Sequence, residues 1–110
     1  VQKYGSPLEI VFPHILEQKA EDLFAAFQSA MRRYKYRGRF YYHYPMKVNQ
    51  NREVVFSAVA EGANLDVASA NELYLVKRMI EQDKFNSRIR VICNGPKSER
   101  YMRFAERVST

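Results

Sequence analysis

Residues 39–50 read RFYYHYPMKVNQ. Phe40, Tyr41, Tyr42 and Tyr44 favour a pleated, half-buried surface, so residues 39–48 are expected to form a strand that ends at a lysine. Period-two alternation would put Tyr41, His43, Pro45 and Lys47 on one face, with Phe40, Tyr42, Tyr44, Met46 and Val48 on the other. Pro45 has no N–H to give a ladder and suggests a bulge there. Asn49 and Gln50 then open a helix carrying Val54, Val55, Ala58 and Val59, which Gly62 stops.

The same unit recurs on either side. Upstream, residues 7–13 (PLEIVFP) form a short extended apolar run. Residues 14–34 then space Leu16, Ala20, Leu23, Phe27, Ala30 and Tyr34 as a helical stripe. Downstream, residues 63–68 are extended and lead into Ser69-Ala70-Asn71-Glu72. That spacing suits a capping box ahead of a helix with Leu73, Val76, Met79 and Ile80. Residues 88–93 (RIRVIC) give a fourth apolar strand, Asn94-Gly95 a turn, and Pro96 a first helical position. Tyr101, Phe104, Ala105 and Val108 line one side of the last helix, which is expected to run to Ser109 and Thr110.

Strands alternating with helices over short connections imply right-handed crossovers and a parallel sheet. The expected class is α/β, with residues 1–110 as one unit. Because a closed (β/α)8 barrel needs roughly 250 residues, the chain is expected to be part of a TIM-type barrel, with exposed sheet edges.

Composition narrows the chemistry. The 110 residues are 46% hydrophobic and 27% charged, and 18 Lys plus Arg against 12 Asp plus Glu give a net charge of +6. Such a chain buries a core, and its charge could attract nucleic acid, an anionic membrane or a phosphorylated small molecule. No apolar window reaches about 18 residues and no signal pattern opens the sequence, so the expectation is a cytoplasmic protein without a membrane span. Cys93, the one cysteine, cannot make an internal disulfide and is expected as a small buried residue. His14 and His43 have no neighbours at metal-ligand spacing, so no metal site is expected. No glycine-rich phosphate loop of the Walker or dinucleotide kind occurs.

Lys47 has two readings on spacing alone. At the C-terminal end of a parallel strand it stands where α/β folds build ligand sites, and a desolvated amine there could attack a carbonyl. Equally, a lysine at a strand end can extend its ammonium into water. Asp66, at the end of the next strand, reads either as a site carboxylate or as a solvated or capping aspartate. For Ser69 and Glu72 the capping box accounts for both residue types without a ligand.

The segment YPMKVNQ, with YGSPLEIVFP before it and ICNGPKSERYMRFA after it, resembles the biosynthetic arginine decarboxylases. These belong to the barrel-type pyridoxal phosphate-dependent decarboxylases related to alanine racemase. The resemblance spans nearly the whole chain in order. It implies that Lys47 is the catalytic lysine holding pyridoxal 5'-phosphate as a Schiff base, and that the substrate is a small amino acid, arginine in polyamine biosynthesis. Asp66-Val67-Ala68-Ser69 and Glu72 match the Asp-x-x-Ser segment and following glutamate of the ornithine and diaminopimelate enzymes. The arginine enzymes more often carry Leu-Glu-Ala-Gly-Ser there. Asp66 and Glu72 are accordingly cofactor-binding candidates, and an ornithine- or diaminopimelate-type substrate stays open.

In that family a glycine-rich loop, a stacking histidine, a ring-nitrogen glutamate and a cysteine-bearing segment of a second subunit complete the site. None matches within residues 1–110, so a homo-oligomeric parent and little activity from this chain alone are expected. The competing class is a non-enzymatic nucleic-acid-binding domain. Residues 31–39 (MRRYKYRGR) interleave five basic residues with two tyrosines, as a phosphate-binding, base-stacking surface could. Cations also gather at a helix C-terminus to oppose its dipole, and Gly38 is placed to end the segment.

Overall fold

Leu65 and Val67 are fully buried while Asn64 and Asp66, which alternate with them, are only half-buried, the pattern of a strand with one face covered. In the computed structural model, which describes residues 2–83 and 88–109, this strand is the centre of a parallel sheet. The elements run α1 (Pro13–Arg33), β1 (His43–Pro45), α2 (Arg52–Ala60), β2 (Asn64–Val67), α3 (Ala70–Asp83), β3 (Val91–Cys93) and α4 (Glu99–Ser109). Sheet order is β1-β2-β3. Register pairs His43 with Asn64, Tyr44 with Leu65 and Pro45 with Asp66, then Leu65 with Val91, Asp66 with Ile92 and Val67 with Cys93.

The α/β class and the parallel sheet are therefore as the alternation implies. Thr110, at the end of the expected last helix, lies outside the described residues.

One face of the sheet carries the core. Met46, Val55, Leu65, Val67, Leu73, Val76, Met79 and Tyr101 form a single buried cluster, with Tyr44, Val91 and Cys93 packed against it. Each fully buried large side chain contributes about 1.5–3 kcal/mol relative to exposure. The opposite face presents His43 and Pro45, Asn64 and Asp66, and Ile92, which is 46% exposed.

Several expectations need correction. Residues 7–12 join no strand: the sheet has three strands among the described residues, and Leu8, Ile10 and Phe12 are exposed. Pro7 and Pro13 at the ends of that run have no N–H for a ladder. The strand expected over residues 39–48 is regular only at His43–Pro45 and has no bulge, since its register with β2 is continuous. Pro45 is tolerated because β1 is an edge strand and Pro45 is its last residue.

Pro96 is not the first residue of α4. Ser98 is the cap, its Oγ accepting the Tyr101 N–H at 3.2 Å, and the helix begins at Glu99. Cys93 is half-buried rather than buried, at the margin of the core. In α1, Ala20 is buried and Leu16, Leu23 and Phe24 are half-buried, but Ala30 and Tyr34 are exposed. A helix of 21 residues is about 30 Å long and outruns the elements it packs on. Phe24 and Phe27 close its inner half on the connection to β1, Phe27 stacking on Phe40 at 4.1 Å.

Gly62 ends α2 with φ +90°, as expected. Gly38 does not end α1. Tyr34 is the C-cap and Lys35 takes the left-handed position with φ 53°. The Tyr36 N–H reaches Met31 O at 2.9 Å and the Lys35 N–H reaches Arg32 O at 3.2 Å, a Schellman pattern. Arg32 and Arg33 sit in the last turn, where cations oppose the helix dipole. Among the described residues, no helix is long and apolar enough to cross a membrane.

Candidate active site

All three strands are parallel, so their C-terminal ends share one edge of the sheet. That edge is where the sequence-selected residues gather. The Met46 N–H continues the ladder to Asp66 O at 2.9 Å, and the Val48 N–H then turns back to Pro45 O at 3.1 Å. Lys47 lies inside this tight turn and is exposed. The expected alternation therefore stops at Pro45, because a turn breaks the two-residue period, and the desolvation considered for Lys47 is not present in this chain.

Asp66 lies one strand over and is half-buried, on the face it shares with Pro45 and Ile92. The backbone bond from Met46 to Asp66 places Lys47 beside that carboxylate's strand exit.

The connection after Lys47 is held at several points. The Tyr44 hydroxyl, whose pKa burial pushes up, donates to Asn49 O at 2.9 Å. Asn49 Oδ1 accepts the Asn51 N–H at 2.9 Å, so the stretch entering α2 is an Asx-type turn and the helix starts at Arg52, later than expected. Gln50 Nε2 donates to Glu72 Oε1 at 3.1 Å.

Glu72 is 6% exposed. Ser69 caps α3 as expected, its Oγ accepting the Glu72 N–H at 3.2 Å. The other half of the capping box is displaced by one residue, because Glu72 Oε2 accepts the Ala68 N–H at 2.6 Å. Both carboxylate oxygens thus have protein donors.

The third exit is tied to the second. Val67 O accepts the Asn94 N–H at 2.7 Å and the Tyr101 hydroxyl at 2.8 Å. Burial, followed by the neighbouring Cys93, drives the Tyr101 pKa well above the usual phenol range. Gly95 stands at φ +75°, and a Cβ there would meet Ala68 O at 3.4 Å.

The structure therefore brings Lys47, Asp66 and Glu72 to one edge. From the sequence, Asn49 and Gln50 were expected only to open a helix, and Tyr101 only to be part of an apolar stripe. A hydroxyl on a residue placed in the core was the available signal, since a buried tyrosine needs a partner. The basic run 31–39 lies elsewhere, on the exposed end of α1 and the segment after it, with Tyr34 and Tyr36 exposed.

An exposed primary amine at one strand exit and a carboxylate on the neighbouring strand are residue types that suit an aldehyde cofactor. A phosphate cradle of glycine-rich backbone is not formed among the described residues. Among those residues there is also no cluster of three or more His, Cys, Asp or Glu that could hold a metal.

Comparison with known proteins gives the family. The family described as "Pyridoxal-dependent decarboxylase, pyridoxal binding domain" matches residues 17–110. A Neisseria meningitidis serogroup B protein named biosynthetic arginine decarboxylase is 37% identical over 108 residues, covering 94% of this chain and 16% of the relative. Proteins of the same name from Tolumonas auensis and Proteus mirabilis are 34% and 33% identical, over 94% and 90% of this chain. The chain spans about a sixth of the length of these curated relatives, 16% for the first two. A family match reaching from the second turn of α1 to the end of the sequence makes this chain a member of the pyridoxal-binding domain family of pyridoxal-dependent decarboxylases.

Proposed function

We propose that this chain is the N-terminal portion of a TIM-type (β/α)8 pyridoxal phosphate-binding barrel, within a decarboxylase that converts arginine to agmatine in polyamine biosynthesis. The observation that carries the reading is Lys47, exposed in the turn leaving β1 and joined through the Met46 backbone to Asp66. Its setting is the family match and the names of the relatives.

Lys47 is the amine that holds the cofactor. Asp66 supplies negative charge beside that amine, and Glu72 completes the cofactor side of the β2 exit by fixing its backbone. When bound, pyridoxal phosphate supplies the electron sink that lets a substrate carboxylate leave as carbon dioxide. The β3 edge, unpaired among the described residues, and the half-buried Asp66 fit further strand-helix units. A homo-oligomeric, cytoplasmic enzyme is the corresponding whole.

Asp66 and Ser69 favour a second substrate reading, an ornithine- or diaminopimelate-type amino acid, because they match the Asp-x-x-Ser form of that segment. Comparing carbon dioxide release from arginine, ornithine and diaminopimelate by the natural polypeptide separates the two.

The test of the site is chemical. The natural polypeptide carrying this sequence is incubated with pyridoxal phosphate, reduced with borohydride, digested and mapped. Label on the peptide containing Lys47 is expected, and label confined to other lysines ends the assignment.

A further inference from the structure

Between Met46 and α2, the chain is tied twice to the same neighbouring unit. The first tie is the Met46 N–H to Asp66 O, 2.9 Å, immediately before Lys47. The second is Gln50 Nε2 to Glu72 Oε1, 3.1 Å, three residues after it. Asp66 belongs to β2 and Glu72 to the helix that follows. The span bearing the lysine is thus pinned at both ends to one strand-helix unit.

Glu72 is built for this. A capping-box glutamate ordinarily returns to the N–H of the cap residue. Here it passes Ser69 and takes the Ala68 N–H at 2.6 Å, which leaves its second oxygen for the Gln50 amide. The carboxylate is buried, so it is fixed in place, whereas Gln50 is exposed and can be changed without opening the core.

We infer that Gln50 is a positioning residue for Lys47: its hydrogen bond to the buried Glu72 carboxylate fixes the backbone from which the lysine amine reaches the cofactor. Tyr44 supports the same span through Asn49 O. Without the Gln50 bond, residues 47–50 keep the turn at Pro45 but lose their second tie to the β2 unit. The inference rests on Lys47 being the cofactor lysine.

The experiment uses the natural full-length polypeptide and compares wild type with Gln50→Ala and Gln50→Glu. The rate of borohydride-fixed pyridoxal phosphate labelling at Lys47 is measured from pH 6 to 9, beside the thermal midpoint. Displacing a reacting group from a distance can cost up to about a hundredfold, and a fall of about tenfold or more is expected for Gln50→Ala. The midpoint pH of labelling should be unchanged, since position rather than amine basicity is altered. Gln50→Glu, which sets a second carboxylate against Glu72, should be slower still. Faster amide hydrogen exchange at Asn51, whose N–H is held by Asn49 Oδ1, should accompany the loss while the thermal midpoint stays near wild type.

Labelling of Gln50→Ala at the wild-type rate overturns the inference and leaves the cofactor lysine standing. A fall in labelling matched by loss of the folded state at the assay temperature overturns it too, since Gln50 would then be a stability residue. No label at Lys47 in wild type removes both readings.

Discussion

Met46 and Lys47 are consecutive in the chain and opposite in environment. Met46 is completely buried with its N–H on Asp66 O, and Lys47 is exposed in the turn that follows. Met46→Ala should cost about 2–5 kcal/mol, the usual range for truncating a large core side chain. Lys47→Ala should change stability by no more than about 0.5 kcal/mol, as a surface substitution, while abolishing pyridoxal phosphate attachment. Urea unfolding of both variants and borohydride labelling of the second check this. Comparable destabilisation by the two would contradict the turn that separates them.

Lys35 occupies the left-handed position that closes α1, with φ 53°. A side chain costs roughly 1–2 kcal/mol in this conformation, and glycine avoids that at some entropic cost in the unfolded chain. Lys35→Gly should therefore stabilise the protein by up to about 1 kcal/mol. An unchanged or lowered thermal midpoint would show that the Lys35 side chain has a compensating partner.

Tyr101 should make stability pH-dependent at the alkaline end. Its pKa is raised by burial in the folded chain above the ordinary value of 10.0. Above that pH the unfolded chain releases the phenolic proton and the folded chain retains it, so stability is complete below about pH 10 and declines above it. The slope approaches about 1.4 kcal/mol per pH unit for one proton. Tyr101→Phe should lose about 1 kcal/mol at neutral pH with the hydrogen bond to Val67 O and show a shallower alkaline decline. Thermal melts of both proteins from pH 8 to 11 provide the comparison.

Gly95 combines φ +75° with Ala68 O close to where a Cβ would lie. Gly95→Ala should destabilise by about 1–2 kcal/mol and loosen the contact between the β2 and β3 exits. Denaturant unfolding measures the first effect, and amide exchange at Asn94 measures the second.

The elements legible in the sequence were those with a short-range cause. Apolar spacing gave the helices, Ser69 marked the start of α3, and Gly62 marked the end of α2. Errors fell where a local signal had a longer-range competitor. Residues 7–13 are apolar enough for a strand, but strand formation needs a partner edge, which they do not take in this sheet. Gly38 looked like the stop for the segment, yet the Schellman bonds close α1 three residues earlier, around Lys35. Pro96 could start a helix, but Ser98 could cap one, and the cap prevailed.

Alternation, capping and the placement of a lysine at a strand exit are written within a few neighbouring residues, so the sequence alone determined the α/β class and singled out Lys47. Tertiary structure decided what Lys47 is surrounded by. The Gln50–Glu72 bond spans 22 residues and the Tyr101–Val67 bond spans 34. Such bonds depend on which strand-helix unit is set against which in the parallel sheet, and that pairing is not written in neighbouring residues.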